Sequence, residues 1–62
     1  MKNFIEVVTD CNNLIMININ TISLIWKNST HTFIAYNSGK QEIIRTNASY
    51  EEIKRKIEEA QI

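Results

Sequence analysis

The sequence predicts an α+β fold, a small, mainly antiparallel five-stranded sheet or partly curled barrel with one C-terminal helix. Residues 4–46 hold short runs rich in β-branched and aromatic residues, separated by polar turn formers and showing no helical period. Asn47-Ala48-Ser49-Tyr50-Glu51-Glu52-Ile53 then carries a helix-starting signal. There Ser49 can accept from the Glu52 N–H while the Glu52 carboxylate accepts from the Ser49 N–H, the reciprocal capping box. The 62 residues include no proline, repeat or low-complexity linker, so residues 1–62 read as a single domain.

Phe4 to Thr9 forms the first expected strand, and Asp10-Cys11-Asn12-Asn13 turns it into a second from Leu14 to Ile19. Asn20-Thr21 bends the chain into Ile22 to Lys27, and Asn28-Ser29-Thr30 turns it again into His31 to Tyr36. Asn37-Ser38-Gly39-Lys40 contains the only glycine, the residue best suited to the positive φ of a tight hairpin, and leads into Gln41 to Thr46. The helix spans about 49–61. Its apolar stripe is Tyr50, Ile53, Ile57 and Ala60, and Glu51 with Arg55 and Glu52 with Lys56 are spaced for i,i+4 pairs on the solvated face.

A chain this short buries only about 60% of its unfolded surface, so its core needs a supplement. Cys11 is the only cysteine, which excludes an internal disulfide. With His31 as the only histidine, a zinc site built on nitrogen and sulfur is excluded too. Oligomerisation is the remaining supplement. Neither a metal nor a cofactor is called for.

Seven basic residues balance seven acidic ones, which weighs against nucleic acid as partner because no basic excess supplies nonspecific affinity. The stretch from Leu14 to Trp26 is shorter than the roughly 20 residues of a membrane span and is broken by Asn18, Asn20, Thr21 and Ser23. Glu6 interrupts what would be the apolar part of a signal peptide, so a cytoplasmic location is expected, with no membrane partner. Asn28-Ser29-Thr30 and Asn47-Ala48-Ser49 match the glycosylation sequon, but without a secretory route they read as turn and cap chemistry.

A sheet with one wet face should alternate apolar and polar residues, and the central strands do not. Leu14 and Met16 point one way while Ile15, Ile17 and Ile19 point the other. Ile22, Leu24 and Trp26 share a face that Ile25 opposes. One helix covers one face, so either the sheet curls or an identical subunit covers the other. The absence of a further apolar element favours the subunit.

Catalysis has little to work with. His31 opens a strand, Cys11 sits in a polar turn, and Glu6 with Asp10 spans a strand end, so no catalytic residue is named and the chain is read as non-enzymatic. A binding set is more substantial. A two-residue Ser38-Gly39 loop would pair Tyr36 with Gln41, Ile34 with Ile43 and Thr32 with Arg45 on one face. Arg45 offers a fork for phosphate or carboxylate, Tyr36 and Trp26 offer stacking surfaces, and Thr32 offers a hydrogen bond. Lys27 and Lys40 add charge. The competing reading makes Trp26, Ile34, Tyr36 and Ile43 core beneath the helix, with Arg45 at the rim.

Several segments resemble the small FlbD-like proteins of flagellar and swarming-motility operons, a group with members encoded by phages and mobile elements. The likeness is carried by Ile5-Glu6-Val7-Val8-Thr9, Ile17-Asn18-Ile19 followed by Ile22, Phe33-Ile34 before Asn37-Ser38-Gly39-Lys40, and Ser49-Tyr50-Glu51-Glu52-Ile53. Asn12-Asn13 stands where the family usually has Asn-Gly. The resemblance implies a non-enzymatic accessory protein and brings no catalytic residues with it. Three functional classes follow: a homo-oligomeric accessory or inhibitor module acting by protein binding, an oligomer sequestering a phosphorylated small molecule such as a nucleotide, and a nucleic-acid binder using the sheet.

Overall fold

The computed structural model describes residues 3–61. Strand β1 spans Phe4–Val8 and β2 spans Leu14–Asn18. A 3-10 turn over Ile19–Thr21 leads into β3, Ile22–Lys27, followed by β4, Thr32–Asn37, β5, Gln41–Thr46, and helix α1, Tyr50–Ala60. The small α+β fold is as expected, but the five strands divide into two antiparallel sheets, β1-β2 and β3-β4-β5. The 3-10 turn makes the division. Asn18 caps it by accepting from the Asn20 N–H, and the chain leaves for the second sheet instead of returning beside β2.

A bridge between Thr9 and Thr46 joins the sheets, and around it the Thr46 hydroxyl donates to the Val8 carbonyl at 2.7 Å. Both sheets turn an isoleucine-rich face to one core of Ile5, Val7, Ile17, Ile19, Ile34 and Ile53, flanked by Ile15, Ile25, Ile44 and Ile57. The cover for Ile15, Ile17 and Ile19 therefore comes from the same chain, which corrects the expectation that a subunit is needed there.

Two local features change which residues share a face. In β3 the register shifts between Ile22 and Leu24, so Ser23 is an extra residue and Ile22 joins Ile25 on the inner face while Leu24 and Trp26 look outward. The β4–β5 loop has three residues, since Asn37 pairs with Gln41. Gly39 takes φ 94° there, and its N–H is held by the Asn37 side chain. The partners are consequently Tyr36 with Glu42, Ile34 with Ile44 and Thr32 with Thr46, one residue away from the expected register. A slip of one residue turns every β5 side chain over. Gln41, Ile43 and Arg45 thus lie on the outer face, opposite Tyr36, Ile34 and Thr32.

In the first hairpin Asn12 takes φ 66°, a conformation asparagine tolerates better than most residues, and the Thr9 hydroxyl accepts from the Cys11 and Asn13 N–H groups. The helix begins as read. Ser49 Oγ accepts from the Glu52 N–H at 3.0 Å, although only this half of the capping box forms. Replacing Ser49 with alanine should cost about 1 kcal/mol, visible as a lower urea midpoint; an unchanged midpoint would mean the cap contributes nothing. Along α1, Ile53 is buried and Ile57 and Ala60 pack on the core. The i,i+4 ion pairs do not form. Glu51 lies 3.8 Å from Lys27, and Lys56 Nζ donates to the Glu6 carbonyl on β1. Among the described residues no helix is long and apolar enough to cross a membrane.

Candidate functional site

The inner faces are consumed by the core, and what remains is on the outside. On the three-stranded sheet the register aligns Leu24, Ala35 and Ile43 in one outer row and Trp26, Phe33 and Arg45 in the next. The Trp26 and Phe33 rings stack with centroids 5.3 Å apart and planes within 9°. On the hairpin, Val8 faces Leu14 and Glu6 faces Met16 on the outer side. Five large apolar side chains across these two outer faces are half or more exposed: Val8 50%, Leu14 65%, Met16 50%, Leu24 58% and Ile43 59%. The outward direction of Leu14 and Met16 agrees with their spacing in the sequence. Exposure of Leu24 was hidden by the bulge, and that of Ile43 by the loop length.

The six residues singled out for ligand binding do not converge. Trp26 and Arg45 are on the outer face of the three-stranded sheet, and Tyr36 packs against the core from the inner face. Lys40 lies in the β4–β5 loop with its ammonium 3.6 Å from the Glu42 carboxylate. Lys27 and Thr32 do come together. They are cross-strand partners at the inner rim, and they line a cleft of about 160 Å³ together with His31, Ser49, Tyr50 and Glu51 beside the start of α1. The Lys27 ammonium stands 6.0 Å above the centre of the Tyr50 ring and also faces Glu51, so part of its charge is already answered. His31 Nδ1 is 2.8 Å from the Thr30 hydroxyl, and its backbone N–H donates to Asn28 Oδ1. His31 is thus built into the turn.

Arg45 is engaged by Asp10, which the sequence places with Glu6 across a strand end and gives no binding role. Its Nε donates to Asp10 Oδ2 at 2.6 Å, and the Asp10 N–H donates to the Arg45 carbonyl. The Arg45 hydrogen bond, with its charge adding to it, holds the Asp10 carboxyl below its usual value. A lowered folded-state value means that this pair's stabilisation is fully present above the unfolded carboxylate range, about pH 4, and is lost as pH falls through the lowered value. Asp10→Asn should flatten that part of the acid limb in a series of urea midpoints taken at decreasing pH. An unaltered acid limb would show that the pair does not couple to folding.

Fold and surface together define a small α+β domain whose own core is closed and whose two sheets each leave an apolar outer face to solvent. Compared with protein-family models, curated proteins and solved structures, the chain matches none.

Proposed function

We propose that this chain is a non-enzymatic binding module that self-associates and acts on another protein as an accessory or inhibitor. The observation that carries the reading is the exposure of Val8, Leu14, Met16, Leu24 and Ile43 around a closed core. Apolar groups gathered on one face mark interaction surfaces, whereas singly scattered ones do not. The outer face of β3-β4-β5 has the make-up of a protein-binding centre: a stacked Trp26–Phe33 pair beside an arginine, with Leu24 and Ile43 alongside. The likeness to FlbD-like accessory proteins points the same way.

The test is affinity capture with the wild-type chain and with Leu24→Asp, both checked for folding by circular dichroism, followed by titration of each captured protein. A partner that binds the variant at least tenfold more weakly supports the reading. Equal affinity for both chains contradicts it.

A second reading rests on the Lys27–Thr32 cleft, where an ammonium, a hydroxyl and the start of a helix suit a small anionic ligand such as a nucleotide. A nucleotide panel read by thermal shift discriminates the two, since a ligand that binds only the folded state raises the melting temperature. A rise that disappears in Lys27→Ala would favour sequestration of a phosphorylated small molecule.

A further inference from the structure

Resting on the self-association just proposed, we infer that the second copy docks on the free edge of β2, pairing its own β2 antiparallel so that the two hairpins form one continuous four-stranded sheet. The hydrogen-bond pattern shows which backbone groups are available. The Thr9 N–H donates to the Asn13 carbonyl and the Ile19 N–H donates to the Asn3 carbonyl. In the β1–β2 register these are alternate positions, so Ile5 with Ile17 and Val7 with Ile15 are the hydrogen-bonded pairs between them. The intervening residues Leu14, Met16 and Asn18 therefore direct their N–H and C=O groups away from β1. The opposite edge of β1 agrees, because the outward carbonyls of Glu6 and Val8 accept from Lys56 Nζ and the Thr46 hydroxyl.

Those two carbonyls of β1 are met from within the chain, but among the described residues those of β2 are met only at Asn18, whose carbonyl accepts from the Thr21 hydroxyl at the strand's end. Among the described residues, no backbone hydrogen bond outside the ladder reaches Leu14 or Met16.

Natural sheets blunt such edges with charge, bulges or a covering element. The other strands follow this rule: β3 has the bulge and Lys27, β5 has Glu42 and Arg45, and β1 has Glu6 and the side chain of Lys56. Leu14-Ile15-Met16-Ile17-Asn18 has no charge, proline or glycine. A neutral strand is also free of the like-charge repulsion that self-pairing across a two-fold axis would otherwise bring. An axis at Met16, the middle of the strand, sets Met16 against Met16 and Leu14 against Asn18, so that all three outward-directed residues fall at hydrogen-bonded positions. Ile15 then lies opposite Ile17 on the core side, and Leu14, Met16 and Val8 of both copies join into one apolar outer surface.

The test is sedimentation of chemically assembled chain bearing N-methyl-Met16, which removes one outward N–H and leaves the β1 ladder intact. Wild type should be dimeric or a multiple of dimers. The N-methyl chain should keep its circular dichroism spectrum while its dissociation constant rises at least a hundredfold. Met16→Lys should behave likewise by placing two ammonium groups across the axis, and mixing it with Met16→Glu should restore association. Leu24→Lys, on the other outer face, should leave self-association unchanged. An N-methyl-Met16 chain that associates as wild type does, or a Leu24→Lys chain that alone dissociates, overturns the β2 pairing and leaves the binding-module reading standing. A wild-type monomer at every concentration overturns both.

Discussion

Replacing Ile34 with alanine should remove at least about a fifth of the stability of this domain and, at the upper end, all of it. Ile34 sits in the middle strand of the larger sheet, has no exposed surface and belongs to the core shared by both sheets and the helix. Truncating a buried isoleucine to alanine costs roughly 2–5 kcal/mol, through lost transfer free energy and the cavity that remains. At roughly 0.05–0.15 kcal/mol per residue, a chain this short holds about 3–9 kcal/mol in total. The informative control is Ile43→Ala. Ile43 is one residue from Ile44, the actual partner of Ile34, but it lies on the outer face, and its truncation should change stability by less than about 0.5 kcal/mol. Urea midpoints of the two variants measure the contrast directly. Equal losses would mean that β5 sits in the other register and that the outer face is wrongly assigned.

Thr46→Val should cost about 1–3 kcal/mol although it keeps the shape of the side chain. The Thr46 hydroxyl donates to the Val8 carbonyl and accepts from the Ala48 N–H at 3.2 Å, on a residue that is itself buried. Valine leaves both backbone groups without their partner at the point where the two sheets meet and the chain turns toward α1. Thr46→Ser retains the hydroxyl and should recover most of the loss. If serine and valine cost the same, the methyl group and not the hydrogen bonds holds this junction.

Much of the fold is legible in the sequence because each strand is bounded by turn formers and the helix announces its own start. β3 and β5 fall where their β-branched runs place them, and Ser49 caps as its spacing to Glu52 requires. What the sequence conceals is parity. A three-residue loop around Gly39 and an extra Ser23 each shift the alternation by one, and neither leaves a mark on composition. The expected face joining Tyr36, Ile34 and Thr32 to Gln41, Ile43 and Arg45 fails on the first of these. Trp26 and Ile43 lie outside the core, while Ile34 and Tyr36 belong to it. The Arg45–Asp10 contact was equally hidden, because it joins residues 35 apart at the junction of two sheets that were expected to be one. The apolar excess of β2 was readable, since Leu14 and Met16 oppose Ile15 and Ile17 in any register.

The proposed self-association rests on a closed core whose two sheets leave apolar side chains exposed on their outer faces. Sedimentation equilibrium over a wide concentration range decides whether it occurs. Pairing through β2 should give masses at even multiples of the 7.2 kDa chain at micromolar concentration, with dissociation on dilution. A single 7.2 kDa species throughout that range would contradict it.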